Sequence, residues 1–211
     1  MSQVATAMPD IVSADEWAKA REELLIAEKA ATRELDALAA RRRRLPMVEF
    51  DNEYVFATPN GPRTLLELFE GRSQLALYQF MDRGPDEFCQ GCTAFADNVP
   101  AAGPRRLAVR DVTWAMASDM PLAQIEAYKE RMGWTATFVS SHGSTFTRDC
   151  GVGEGFLLSV FLRDGERVFR TYTTTSRGVD RILWGHNILD LTPYGRQQPW
   201  EDSPAGWPQA F

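Results

Sequence analysis

Between Ser13 and Arg44 the apolar positions recur at steps of three and four. Trp17, Leu24, Leu25, Ala31, Leu35 and Leu38 fall near one face, with Glu28 as a polar interruption. The stretch holds no Pro or Gly, and Ser13 and Glu16 stand at the spacing of a capping box. It predicts one amphipathic helix about 45 Å long, ended by Pro46. Past Pro46 the pattern breaks into short pieces. "EYVFAT" reads as a strand, "PNGP" as a turn and "RTLLELFEGR" as a helical turn. Ser73 to Phe80 is almost continuously apolar, which marks a strand buried on both faces. The loop "MDRGPDEF" leads to a helix through Ala94, Phe95 and Val99, and "DVTWAMAS" is a second buried strand. Pro121 opens a helix that Gly133 closes. Two apolar runs around Asp164-Gly165 predict a hairpin. Gly178 to Asp190 reads as a closing helix with Val179, Ile182, Leu183 and Leu189 inward. The tail after Thr192, rich in Pro, Trp and Gln, reads as an extended strap or as disorder.

Strand, helix, strand, helix, hairpin, helix is the element order of the thioredoxin fold. The strands joined by helical crossovers are expected to be parallel. The expected class is α/β, a thioredoxin-like fold with a long N-terminal helical extension. Its expected domains are an N-terminal amphipathic helix at 1–45, a thioredoxin-like domain at 46–192 and a C-terminal strap at 193–211.

Composition narrows the function. A net charge of −6 and a pI near 5.1 argue against nucleic acid as a partner, since phosphate binding needs a basic surface. The run Arg41 to Arg44 lies in an acid-rich stretch and reads as a solvated helix end. No apolar run approaches the roughly 20 residues that cross a bilayer, so no membrane association is expected. The N-terminal stretch lacks a basic cluster followed by an apolar block, which sets the expected location in the cytoplasm. Three cysteines there do not form a structural disulfide framework.

Two of the three lie in "FCQGCTAF", as Cys89 and Cys92. Positions i and i+3 in the first turn of a helix share a face, so the two sulfurs can approach bonding distance. The helix N-terminus stabilises a thiolate. Cys89 is then the attacking thiol and Cys92, one turn deeper, the resolving one. Arg83 adds to this if the loop folds back, while Asp86 and Glu87 oppose it. The Gln90-Gly91 dipeptide tunes the poise of the couple. Two blander readings stand beside it: a zinc site completed by His142 and Cys150, and a pair of buried thiols that only fill space.

The segments "SADEWAKAREELLIAEKAATRELDALAARRRRLP", "LLELFEGRSQLALYQFM", "CQGCTAFADNVP", "LAQIEAYKERMGW", "VSSHGSTFTRD", "LSVFLRDGERVFRTYTTTSRG" and "LDLTPYGR" together resemble the DUF899 family of thioredoxin-like proteins, predicted dithiol-disulfide oxidoreductases. The resemblance spans nearly the whole chain and implies a redox pair at Cys89 and Cys92. The expected substrate-contacting residues are Phe88, Gln90, Gly91, Phe156 and Arg177. Arg177, with Tyr172, is placed in the cleft only through the resemblance. Thioredoxin-like proteins usually carry a cis-proline before the hairpin strand, where substrate peptide docks. "GVGEGFLLSVF" has none, and its short loop implies an open rim. Cys150 reads as a packed thiol.

The leading expectation is a cytoplasmic thiol-disulfide oxidoreductase acting on a disulfide-containing protein, a small thiol or a peroxide, without cofactor or metal. One alternative is a peroxiredoxin-like peroxide reductase led by Cys92, with Pro85 four residues before Cys89 and with Arg148 or Arg177 beside the thiolate. Another is a redox-inert or metal-binding assembly module. Trp134, Ser140, Ser141 and His142 are candidate rim residues, Asp97 and His186 surface ones. The apolar stripe of the N-terminal helix predicts a homodimer.

Overall fold

A computed structural model describes residues 7–153 and 155–209. Residues 1–6 of the N-terminal segment, Glu154 of the loop before the hairpin, and residues 210 and 211 of the strap lie outside the described residues. The chain divides into two compact units, Pro46–Trp184 and Met1–Leu45 with Gly185–Phe211.

The larger unit is built on β4 (Gln74–Gln79), the apolar run seen in the sequence. Its period of two survives burial on both faces. Leu75 and Leu77 enter one core cluster with Phe56, Leu65, Phe69, Phe146 and Phe161. Tyr78 and Phe80 enter the other, with Cys92, Phe95, Met116, Ile125 and Phe138. β5 (Val112–Ser118) pairs with β4 in parallel and β7 (Leu157–Asp164) antiparallel. β7 turns at Gly165, whose φ of 58° is the left-handed geometry a tight hairpin needs, into β8 (Arg167–Thr174). The parallel crossover and antiparallel hairpin on one sheet make the unit thioredoxin-like.

Two short strands complete the sheet without a sequence signal. β1 (Val48–Phe50) pairs with β8, and β6 (Phe138–Ser140) continues the parallel side beyond β5. Among the described residues the sheet order is β1-β8-β7-β4-β5-β6. "EYVFAT" contributes only β2 (Val55–Phe56), which pairs with β3 (Arg63–Thr64) in a separate ribbon. The helical turn after it is α2 (Leu65–Leu68), capped by Thr64 and Glu67. α3 (Gln90–Asp97) follows β4. The short α4 (Gly103–Ala108), absent from the sequence reading, precedes β5. α5 (Leu122–Met132) starts after Pro121 and stops at Gly133, with φ of 69°. One turn, α6 (Phe146–Asp149), packs Phe146 into the core.

The closing helix is a correction. Ser176–Ile182 is 3-10, Leu183 is extended, and α7 (Trp184–Leu189) begins afterwards. Val179 on the 3-10 segment and Leu183 at its extended end are buried, whereas Ile182 and, on α7, Leu189 are exposed.

In the smaller unit, α1 (Ala14–Arg42) carries the full capping box: Ser13 Oγ accepts from Glu16 N, and Ser13 N donates to the Glu16 carboxylate. None of its residues is buried. The tail is a series of tied turns. Tyr194 donates to the Ala7 carbonyl and meets Trp207 edge-on, and Arg196 forks onto Asp190. No helix among the described residues is long and apolar enough to cross a membrane.

Candidate functional site

β4 ends against β5, and Phe80 N donates to the Ala117 carbonyl as the last parallel link. The loop that follows is pinned at both ends. Asp82 bridges to Phe88, and Gly84, at φ of 94°, donates to Asp82 and accepts from Gln124 of α5. This closed loop sets Cys89 at the N-cap of α3 with extended backbone (φ −61°, ψ 111°). Its Sγ accepts the Cys92 N–H at 3.3 Å, where Ser, Thr or Asp would ordinarily cap. A sulfur held there faces the positive end of the helix, the setting that favours an anion. Cys89 is half-buried and its thiol lies 3.4 Å from the Met81 Sδ.

Cys92, one turn on, is fully buried. Burial pushes its thiol up to about 12, and the Met81 N–H at 3.5 Å and the Tyr78 hydroxyl pull the other way. Among the described residues all three cysteines are free thiols.

The predicted contact residues fall in different places. Gln90 and Gly91 are exposed, and space is open around Gly91. Phe88 stacks on Tyr128 at 3.5 Å between centroids, and the Arg131 guanidinium lies 4.7–4.9 Å from both rings. Tyr128 in turn shares a hydrogen bond with Thr93 of α3, whose hydroxyl also reaches the Cys89 carbonyl. Phe156 leans on Tyr78 at 5.5 Å. Arg177, on the 3-10 helix, pairs with Asp180 and is not among the groups that bear on Cys92.

Several expectations separate here. The zinc set is not assembled: Cys150 packs in the cluster on the opposite face of the sheet from Cys92, and the His142 Nδ1 sits 2.8 Å from the Asp119 carbonyl. Among the described residues no three His, Cys, Asp or Glu side chains converge on a metal position. Arg148 pairs with Asp149, so neither arginine of the peroxide reading stands among the groups acting on Cys92. Arg83 lines a cavity of about 410 Å³ of mixed polarity, with Gln79, Met81, Asp119, Thr147 and Val152. Trp134 donates its indole N–H to Asp97 at 2.8 Å, so both lock α3 to the end of α5.

Tyr78, Met81, Tyr128 and Arg131 escaped the sequence reading. Tyr78 alone carried a signal: a hydroxyl beside Leu75, Ala76 and Leu77 in a largely apolar strand.

A search of the curated proteins found no match. Among solved structures, the chain is similar to a secreted Mycobacterium tuberculosis disulfide oxidoreductase homologous to E. coli DsbE. The two are 12% identical over 59% of this chain and 84% of that one, with a TM-score of 0.40. It is similar to peroxidoxin BcpB from Mycobacterium tuberculosis at 17% identity, covering 66% and 90%, with a TM-score of 0.44. Peroxiredoxin Q from Xanthomonas campestris is 14% identical, with 68% and 98% covered and a TM-score of 0.46. A family model described as "Bacterial protein of unknown function" matches residues 6–209, and the chain belongs to that family, DUF899.

Proposed function

We propose that the protein is a thiol-disulfide oxidoreductase working through Cys89 and Cys92. One observation carries the reading: the sulfur of the half-buried Cys89 caps α3 and accepts the N–H of a fully buried Cys92. That pairing gives the two thiols separate tasks. The Cys89 thiolate attacks one sulfur of a substrate disulfide, whose S–S bond breaks. One substrate thiolate leaves and takes up a proton, and a mixed disulfide remains on Cys89. Cys92 then loses its proton and attacks the Cys89 sulfur, releasing the second substrate thiolate. The substrate gains two electrons and two protons, and the Cys89–Cys92 disulfide is re-reduced by an external dithiol. In this reading Phe88, Gln90, Gly91, Phe156 and Arg177 contact the substrate, and a reducing cytoplasm supplies the dithiol.

Alkylation followed by mass spectrometry tests it. Mild oxidation is expected to link Cys89 to Cys92 and to leave Cys150 as a thiol. Both cysteines remaining free across a wide range of redox buffers would sink the proposal. Peroxide reduction led by Cys92 has less support, because that thiol is buried, pushed up and without an arginine acting on it. Sulfenic acid trapped at Cys92 in a Cys89→Ser variant would reverse that ranking.

A further inference from the structure

Tyr78 is fully buried, yet its hydroxyl has no hydrogen bond of good geometry in the reduced protein. Buried tyrosines ordinarily pair their O–H, so an orphan donor needs a reason. Its ring lies flat on Phe95, with centroids 3.9 Å apart and planes within 4°. Phe95 stands one turn after Cys92 on α3, so the stack brings the inner face of that helix down on Tyr78. Both residues belong to one buried cluster, and the hydroxyl lies against the Cys92 thiol.

We propose that the Tyr78 hydroxyl is the hydrogen-bond donor that stabilises the Cys92 thiolate when Cys92 resolves the mixed disulfide. The inference rests on the exchange reading above. A neutral thiol is a poor acceptor, so the hydroxyl goes unpaired while Cys92 is protonated. A thiolate is a strong acceptor, and the charge-assisted bond forms only then. The interaction is therefore stronger in the reacting state than in the resting one, which is what accelerates a step.

The groups acting on Cys92 are Tyr78 from β4, the Met81 N–H from the loop and Cys89 at the helix start. Among them Tyr78 is the one side chain with a strong donor, and none is a cation. Burial and the neighbouring Cys92 raise the pKa of Tyr78 itself, so it stays a donor and does not act as a base. On resolution the Cys92 sulfur bonds to the Cys89 sulfur, the bond from Cys89 to the substrate breaks, and the Cys92 proton passes to solvent.

A chromogenic aryl disulfide, dithiobis(nitrobenzoate), reports both steps on the full chain with Cys150→Ala. The first equivalent of thiolate marks attack by Cys89, the second marks resolution by Cys92. Tyr78→Phe keeps the ring stack and removes the donor. The first phase is expected to stay unchanged. The second is expected to slow by about three- to tenfold at neutral pH and to keep rising to a higher pH. One pKa unit removes about tenfold of the thiolate and returns roughly threefold in nucleophilicity. A second phase unchanged in rate and pH profile overturns the inference. Should the phenylalanine variant not fold, 3-fluorotyrosine incorporation makes every tyrosine a stronger donor of nearly the same shape. It is expected to speed the second phase relative to the first, and no change would again overturn the inference. A parent protein that releases no second equivalent removes the exchange reading itself, and the Tyr78 inference with it.

Discussion

Cys92 and Cys150 bring the same group into two different faces of one core. Burial pushes each thiol up to about 12, from an ordinary 9.0. At Cys150 the nearby Arg170 partly offsets this. Between about pH 9 and 12 the native protein therefore holds protons that the unfolded chain has released. Stability from these two thiols is fully present below that window and falls as pH rises through it, by up to about 1.4 kcal/mol per pH unit for each. Urea midpoints are expected to be insensitive to these thiols up to about pH 8.5 and to decline above it, with a shallower alkaline slope in Cys150→Ala. An unchanged slope would show that Cys150 is not held protonated by burial. Cys89 has a structural task as well as a chemical one. Cys89→Ser keeps an oxygen acceptor at the N-cap, whereas Cys89→Ala leaves the α3 N–H groups without one. The alanine variant is expected to be about 1 kcal/mol less stable than the serine variant, with both inactive in exchange. Equal denaturation midpoints would remove the capping role.

Elements differ in how locally they are specified. The end of α5 is set by Gly133, whose positive φ lets its own N–H and that of Trp134 reach the carbonyls of Glu130 and Lys129. Trp134 is thereby aimed at Asp97 on α3. Gly133→Ala is expected to cost about 1 kcal/mol in denaturant unfolding, and Gly133→Asn less, because asparagine tolerates the left-handed region. Should the two variants match the parent, the cap contributes nothing. β1 and β6 stand at the other extreme, since three residues are too few to show a period. Each exists because a neighbour, β8 or β5, offers an unpaired edge. The Gly178 region belongs to this second group: its apolar residues suggest a continuous helix, and the chain instead breaks at the extended Leu183 between a 3-10 segment and α7, with Val179 and Leu183 in the core.

At the scale of the whole molecule the N-terminal helix stands out. Trp17 is 63% exposed and Leu24 is 55% exposed, on a 29-residue helix without a buried residue. An isolated helix gains little from propensity alone, and burial of an apolar stripe supplies most helical stability in proteins. We propose that the stripe of Trp17, Leu24, Leu25, Leu35 and Leu38 packs on the same helix of a second copy in a two-fold homodimer. Each of these side chains contributes roughly 1.5–3 kcal/mol when fully buried. Light scattering is expected to give a dimer for the intact chain and a monomer for Trp17→Glu with Leu24→Glu. A monomeric intact chain would rule the dimer out.

What the amino-acid sequence determined by itself is whatever depends on neighbours a few positions apart. The Ser13–Glu16 box, the stop at Gly133, the Asp164-Gly165 hairpin and the Cys89–Cys92 spacing are all of this kind. So is the central strand, since near-continuous apolarity marks burial on both faces without naming the partners. Only the tertiary structure decided which distant groups meet. The alternative of a zinc site completed by Cys150 and His142 stayed open in the sequence, and the fold parts the set: β4 lies between Cys150 and Cys92, and the Asp119 carbonyl takes His142. Tyr78 read as one more apolar position until the Phe95 stack set its hydroxyl against Cys92. A hydroxyl acquires a role from the group it faces, and that is fixed by packing across the fold rather than by position along the chain.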